Sequence, residues 1–300
     1  MALVSVIIPV YKDDERLPCC LKALDEQTYP KNKFEVILVD NDPYENLNIM
    51  IDHSLDLYVI KEIKPGSYAA RNAGIINAKG KILAFTDSDG IPGSNWIEMG
   101  VNTLLQEKNN KIIVAGRVQL IYKDENRLSL AECYEKYFGF PHQRSGNNTL
   151  SGMVAGNVFI NKQTFAEIGL FNSDLLSGGD TELSYRAIKN NYNIRYNSDC
   201  VVYHPAKYQL SDLLKKRRRI FGGKVFRRIK VDGGKKIPSL AVILFKQSKR
   251  YLRELFDASF SLKTENFRDR NKLIVSLVLI LISLYYESVV ILIANKMRRR

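Results

Sequence analysis

Four short, almost wholly apolar runs punctuate the first 90 residues, each broken off by a polar or turn-forming stretch. Residues 3–8 (Leu-Val-Ser-Val-Ile-Ile) stop at Pro9, and residues 34–39 close on Asp40-Asn41-Asp42-Pro43. Residues 57–60 form a third run, and residues 82–85 lead into Thr86 to Asp89. Runs this short with no polar face read as strands buried on both sides. Between them lie helical patterns: Leu17, Leu21 and Leu24 within 14–28, then a helix opening at Pro65-Gly66 and stopping at Lys79-Gly80. This alternation predicts an α/β fold with a mostly parallel central sheet flanked by helices and joined by right-handed crossovers. Ligands of such sheets bind beyond the C-terminal ends of the strands. Asp40 and Asp87 both fall there.

Past residue 110 the pattern is mixed. Strands are predicted over 112–118, 154–160 and 194–203, the last ending at His204-Pro205, with a helix over 180–190. The charge divides sharply near the same point. Residues 1–204 hold 21 Lys and Arg against 25 Asp and Glu, whereas residues 205–300 hold 24 against 7. A near-neutral region is thus followed by a basic one that meets something anionic. Within the basic region, residues 273–294 carry fifteen Leu, Ile or Val, interrupted by Ser276, Ser283 and Tyr285 to Ser288. Twenty-two residues can cross a core of about 30 Å, and the apolar side chains outweigh the roughly 2.5–3.5 kcal/mol cost of one central charge such as Glu287. A span, a hairpin turning at Tyr285 to Ser288 and a buried helix at a dimer interface are all compatible with the run, so an oligomer stays open. Basic residues flank it (Arg268, Arg270, Lys272; Lys296 and Arg298 to Arg300) and favour anionic headgroups by about 1 kcal/mol each. The N-terminus has no basic stretch before its first apolar run, so no secretory leader is expected. Cys19, Cys20, Cys133 and Cys200 show no zinc spacing and read as reduced thiols.

Asp87-Ser88-Asp89 sets two carboxylates one residue apart at the end of an apolar strand. Close carboxylates repel and need a counter-charge, which a divalent ion shared with phosphates supplies; Asp-Ser-Asp-Gly is equally good turn chemistry. His204 ends another apolar strand, as a structural hydrogen-bonding group or a ligand. In Gly178-Gly179-Asp180-Thr181-Glu182, Asp180 reads either as a helix N-cap or as a general base. Lys64-Pro65-Gly66-Ser67 opens a helix whose N-terminus favours anions, with Arg71 on its first turns.

Together these segments resemble glycosyltransferase family 2, the inverting nucleotide-sugar transferases of the GT-A fold. The matching pieces occur in the family's order: Val6 to Tyr11, Val36 to Asp40, Pro65 to Gly74, Ile82 to Asp89, Gly178 to Arg186 and Val202 to Pro205. The resemblance covers about residues 3–205. It implies a catalytic domain over 1–205 and a basic helical, membrane-associated extension over 206–300. By position, it makes Pro9, Val10, Tyr11 and Asp40 the donor nucleotide pocket, with Arg71 beside it. It makes Asp87 and Asp89 the family's D-x-D acids, Asp89 and His204 ligands of Mn²⁺ or Mg²⁺, and Asp180 the base that deprotonates the acceptor. The family often has Glu-Asp where Gly179-Asp180 stands here. No Gln-x-x-Arg-Trp motif of processive synthases is present, which implies transfer of a single sugar. The expected partners are a nucleotide-sugar donor, a glycan or lipid-linked acceptor and the cytoplasmic face of the plasma (inner) membrane, with no nucleic acid. A catalytically degenerate GT-A scaffold, or a protein that binds only through its basic tail, is the alternative.

Overall fold

The computed structural model describes residues 3–48, 54–106, 111–140, 150–230 and 267–297, with helical positions 249, 253 and 256. Arg298 to Arg300, and the side chains of 224–230, 267–268, 287–288 and 291–297, lie outside the described residues. By contacts the chain divides into two units, Met1–Ile121 with Pro141–Pro205, and Tyr122–Phe140 with Ala206–Arg300. Sequence reading places a single boundary at 205/206; by contacts Tyr122–Phe140 also groups with the residues after it.

In the first unit, β1 (Val4–Val10), α1 (Leu17–Asp25), β2 (Phe34–Asp40), β3 (Leu57–Lys61), α2 (Ser67–Asn77) and β4 (Ile82–Thr86) form the expected alternation. β5 (Ile91–Pro92), α3 (Trp96–Leu105) and β6 (Ile112–Ile121) follow. In the second unit comes α4 (Leu130–Phe138); the first unit then resumes with β7 (Asn157–Asn161), α5 (Thr164–Ile168), α6 (Gly179–Lys189) and β8 (Asn193–Pro205). The eight strands make one sheet in the order β3-β2-β1-β4-β7-β6-β8-β5. β3, β2, β1 and β4 are parallel neighbours, as are β6 and β8; β7 runs against both β4 and β6, and β5 against β8.

Alternate residues of each central strand feed different cores. Val6, Ile8, Leu38 and Ala84 enter a cluster with Trp96 and Val101, while Ile7, Ile37, Leu83 and Phe85 enter one with Ala70, Phe165 and Leu183. Burial on both faces explains why these strands lack a polar side. On the second face α2 lies so close to β1 that a Cβ at Gly74 would collide with the Ile7 side chain. Gly74→Val is therefore expected to overpack the interface by about 1–3 kcal/mol and to lower the thermal midpoint by about 5 °C. Circular dichroism melting checks this, and an unchanged midpoint would show that the helix simply moves away.

β8 is longer than its pattern suggests because it is bulged. Its pairing with β6 is regular up to Gly116↔Asn197 and resumes at Arg117↔Val201. The slip leaves carbonyls unpaired, and buried Asn157 of β7 takes them up. Its Nδ2 donates to Arg117 O (2.9 Å) and Cys200 O (3.0 Å), while its Oδ1 accepts from Trp96 Nε1 (2.9 Å).

The second unit has its own core. Ser129 and Glu132 cap α4 reciprocally, a capping box. Leu128, Ala131 and Tyr134 pack with Leu213 and Phe221 of α7 (Leu210–Lys230) and with α8 (Phe267–Met297). The α8 stripe Leu273, Leu277, Ile280 and Leu284 has the 4-3-4 spacing of one helix face. α8 runs unbroken through Tyr285 to Ser288, which overturns the hairpin: no Gly or Pro stands there to turn the chain. Val275, Val278, Ile282, Val289 and Val290 on the same helix are exposed. Among the described residues, no helix is long and apolar enough to cross a membrane.

Candidate active site

β4 ends inside the sheet, and the chain turns at once, with Gly90 N donating to Asp87 O at 3.0 Å. Both acids thus stay at the strand end. The turn is tight: a Cβ at Gly90 would come 2.7 Å from Thr86 Oγ1, and one at Gly156 would come 2.9 Å from Asp87 Oδ2. The turn leads into β5, which pairs Ile91 with Tyr203 and so brings the last residues of β8 beside it. His204 Nε2 consequently lies 3.2 Å from Asp89 Oδ1. Its Nδ1 lies 2.9 Å from Pro205 O, a group that can only accept, so Nδ1 donates there and Nε2 is the nitrogen that faces Asp89.

The counter-charge that adjacent carboxylates require is supplied in part by the chain itself. Arg71, from α2, pairs with Asp87, and its side chain is 4% exposed. Arg16, at the N-cap of α1, donates Nη1 to Asp89 Oδ2 at 2.8 Å and Nε to Asp13. Asp13 in turn accepts from Ser88 Oγ. Asp87, Asp89 and His204 each offer a ligand atom within 4.8 Å of one another. Two carboxylate oxygens and an imidazole nitrogen that already donates its other N–H to a carbonyl fit a divalent cation.

Beside this cluster a cleft of about 490 Å³ opens at the ends of β1 and β2, lined among others by Val10, Lys12, Asp13, Arg16, Asp40 and Asp42. Asp40 builds its wall rather than projecting into it. Its Oδ1 accepts from Asp42 N and its Oδ2 from Leu47 N (3.0 Å each), and Lys61 Nζ lies 2.7 Å from Oδ2. Asn41 pins the loop ahead of α2 through Glu62 O, Lys64 O and Gly66 N. The Tyr44 N–H, and after it the Lys12 ammonium, hold the Asp42 carboxyl below the ordinary carboxylate range. Of the pocket residues expected from sequence, Val10 and Asp40 line the cleft. Pro9 stays in its strand, paired with Val39; Tyr11 is 60% exposed; and Arg71 turns to Asp87 instead.

Asp180 is not an N-cap. Gly178, at φ 80°, takes that position, and Asp180 sits in the first turn of α6, its Oδ1 accepting from Thr181 N at 2.8 Å. Tyr68 of α2 donates its hydroxyl to the same Oδ1 at 3.4 Å. Burial first, and then the nearby Asp180, push the Tyr68 phenol pKa up. A Cβ at Gly179 would lie 2.7 Å from the Tyr68 ring, so the ring fills the space a larger residue at 179 would need. The first turns of α2 thus face two ways, Tyr68 to Asp180 and Arg71 to Asp87.

Sequence reading missed Arg16, Asp13, Lys12, Lys61, Tyr68 and Asn157. The position of Asp13 and Arg16, just past a central strand, was the available signal; Tyr68 offered none.

Comparison with known proteins bears on this arrangement. The model of "Glycosyl transferase family 2" matches residues 5–169. Glycosyltransferase AglE of Haloferax volcanii is 34% identical over 241 residues, 75% of this chain and 74% of its own. A Methanococcus voltae dolichyl N-acetyl-alpha-D-glucosaminyl phosphate 3-beta-D-2,3-diacetamido-2,3-dideoxy-beta-D-glucuronosyltransferase is 22% identical, covering 72% of this chain and 70% of its own. Among solved structures, GalNAc-T7 with UDP, GalNAc and Mn²⁺ superposes with a TM-score of 0.54 at 17% identity, over 87% of this chain and 52% of that one. That last likeness speaks to the fold.

Proposed function

Because this chain belongs to glycosyltransferase family 2 and is a glycosyltransferase of the GT-A fold, we propose that it transfers one sugar, with inversion, from a nucleotide-diphosphate donor to a hydroxyl of a lipid-linked or polysaccharide glycan. The observation that carries this reading is the meeting of Asp87, Asp89 and His204, which Arg16, a residue of the neighbouring cleft of about 490 Å³, joins through Asp89. The donor's nucleoside lies in the cleft, against Val10 and the loop that Asp40 organises. Its diphosphate reaches toward Asp87 and Asp89. Asp89 and His204 would hold Mn²⁺ or Mg²⁺ with help from Asp87, and such an ion neutralises charge gathering on the leaving diphosphate.

Asp180 takes the proton of the acceptor hydroxyl. The new bond forms from that oxygen to the anomeric carbon as the bond to the donor phosphate breaks, and its electron pair leaves with the nucleoside diphosphate. Attack opposite the leaving group inverts the anomeric configuration. A panel of nucleotide sugars with Mn²⁺, read by NMR of the product's anomeric proton, tests this; a retained configuration, or no transfer from any donor, overturns it.

The acceptor class follows from the basic C-terminal region and its exposed apolar helix, which suit the cytoplasmic face of the plasma (inner) membrane. The deoxysugar transferase of M. voltae carries a dolichyl phosphate substrate in its name, in keeping with a lipid-linked acceptor. Val278 and Ile282 are exposed on α8 outside its packed stripe. Changing both to Lys is expected to lower binding to vesicles with anionic lipid by about 10-fold or more, since burial of each side chain contributes about 1.5–3 kcal/mol. Vesicle flotation of the full chain reads this, and unchanged flotation removes the membrane reading of α8.

A further inference from the structure

The two arginines of the acid cluster are held very differently. Arg71 comes from within α2, is buried, and has Ser67 O and the Tyr68 ring for neighbours as well as Asp87. Arg16 stands at the very start of α1 with a side chain 47% exposed, anchored through Asp13 and Asp89. It also lines the cleft proposed for the donor. On Asp89 it shares the carboxylate with His204: Arg16 Nη1 lies on Oδ2 and His204 Nε2 on Oδ1. A divalent ion bonded to Asp89 and His204 would sit a few ångströms from the guanidinium, and two such positive charges repel. A guanidinium released there has a fitting destination, because its planar fork matches a phosphate with two parallel hydrogen bonds.

We propose that Arg16 is an exchangeable counter-charge. It neutralises Asp89 while no cation is held, and it moves onto the donor diphosphate when a cation takes its place. This rests on the reading of Asp89 and His204 as the cation site. Arg16 is thus a positioning residue that ties cation binding to donor binding: a cation alone must displace it, whereas a cation arriving with a diphosphate gives it a new partner.

The test uses the full chain and Arg16→Gln, with Arg16→Lys as the charge-retaining control, each checked for an unchanged melting midpoint. Free Mn²⁺ is followed by electron paramagnetic resonance without nucleotide, and UDP or GDP binding at saturating Mn²⁺ by calorimetry. Arg16→Gln is expected to bind Mn²⁺ alone several-fold more tightly and the nucleoside diphosphate about 10-fold more weakly, the loss of one charge-assisted contact. Arg16→Lys should fall between the two. Equal Mn²⁺ affinity in wild type and Arg16→Gln, or parallel weakening of both ligands, overturns the exchange and leaves the cation site standing. No Mn²⁺ binding by wild type, with or without nucleotide, removes the cation site and this inference with it.

Discussion

Asp180→Asn is expected to lower the rate of sugar transfer by about 10²–10⁴-fold, the usual contribution of a positioned general base. The substitution is nearly isosteric, and its side-chain oxygen still accepts from Thr181 N–H as Asp180 does. Because Gly178, not residue 180, occupies the N-cap, the helix start does not depend on the carboxylate. Mn²⁺ and UDP affinities should therefore remain at wild-type levels while turnover collapses, a loss in kcat rather than KM. Tyr68→Phe, which removes one long hydrogen bond and keeps the ring that fills the space beside Gly179, should cost far less. Transfer that survives in Asp180→Asn would take the base role away from this residue.

The second large effect is structural. Asn157→Ala leaves the Trp96 indole N–H and the carbonyls of Arg117 and Cys200 without their partner in a site 1% exposed. Each orphaned buried group costs about 1–3 kcal/mol, so the thermal midpoint should fall by about 10 °C or more. The orientation of the amide is fixed by chemistry: an indole can only donate and two carbonyls can only accept. Asn157→Asp, which turns the donating nitrogen into an oxygen facing those two carbonyls, should be equally damaging. Since the bulge lies upstream of His204 on β8, Mn²⁺ affinity should weaken in any variant that still folds. A midpoint shift below about 2 °C would mean that water or a backbone adjustment replaces the amide.

What could be read from the sequence was what each element records about itself. β1, β2 and β4 are apolar on both faces, so their ends, and with them Asp40, Asp87 and Asp89, were marked by the change to polar residues. The parts that depend on distant partners left no such mark. Arg16 and Asp89 are 73 positions apart, and nothing in either neighbourhood names the other. The departure at Gly179 looked like a missing acid until Tyr68, 111 positions earlier in the chain, was found in the space. The exchange of Tyr122–Phe140 into the second unit was hidden for the same reason: a capped amphipathic helix shows that it has an apolar face, not which core receives it.

The start of α2 works as a gauge block. Tyr68 and Arg71 are three residues apart, so a single helical turn fixes the interval between Asp180, which Tyr68 meets, and Asp87, which Arg71 meets, the base and the donor-side acid of the proposed reaction. Adding or deleting one residue between them would swing one side chain by about 100° against the other, and the two halves of the reaction would fall out of step. The loop at 41–47 lies outside that interval. Yet Asn41 ties it to the residue just ahead of α2, so a change there would be felt at the start of the helix as well as in the cleft.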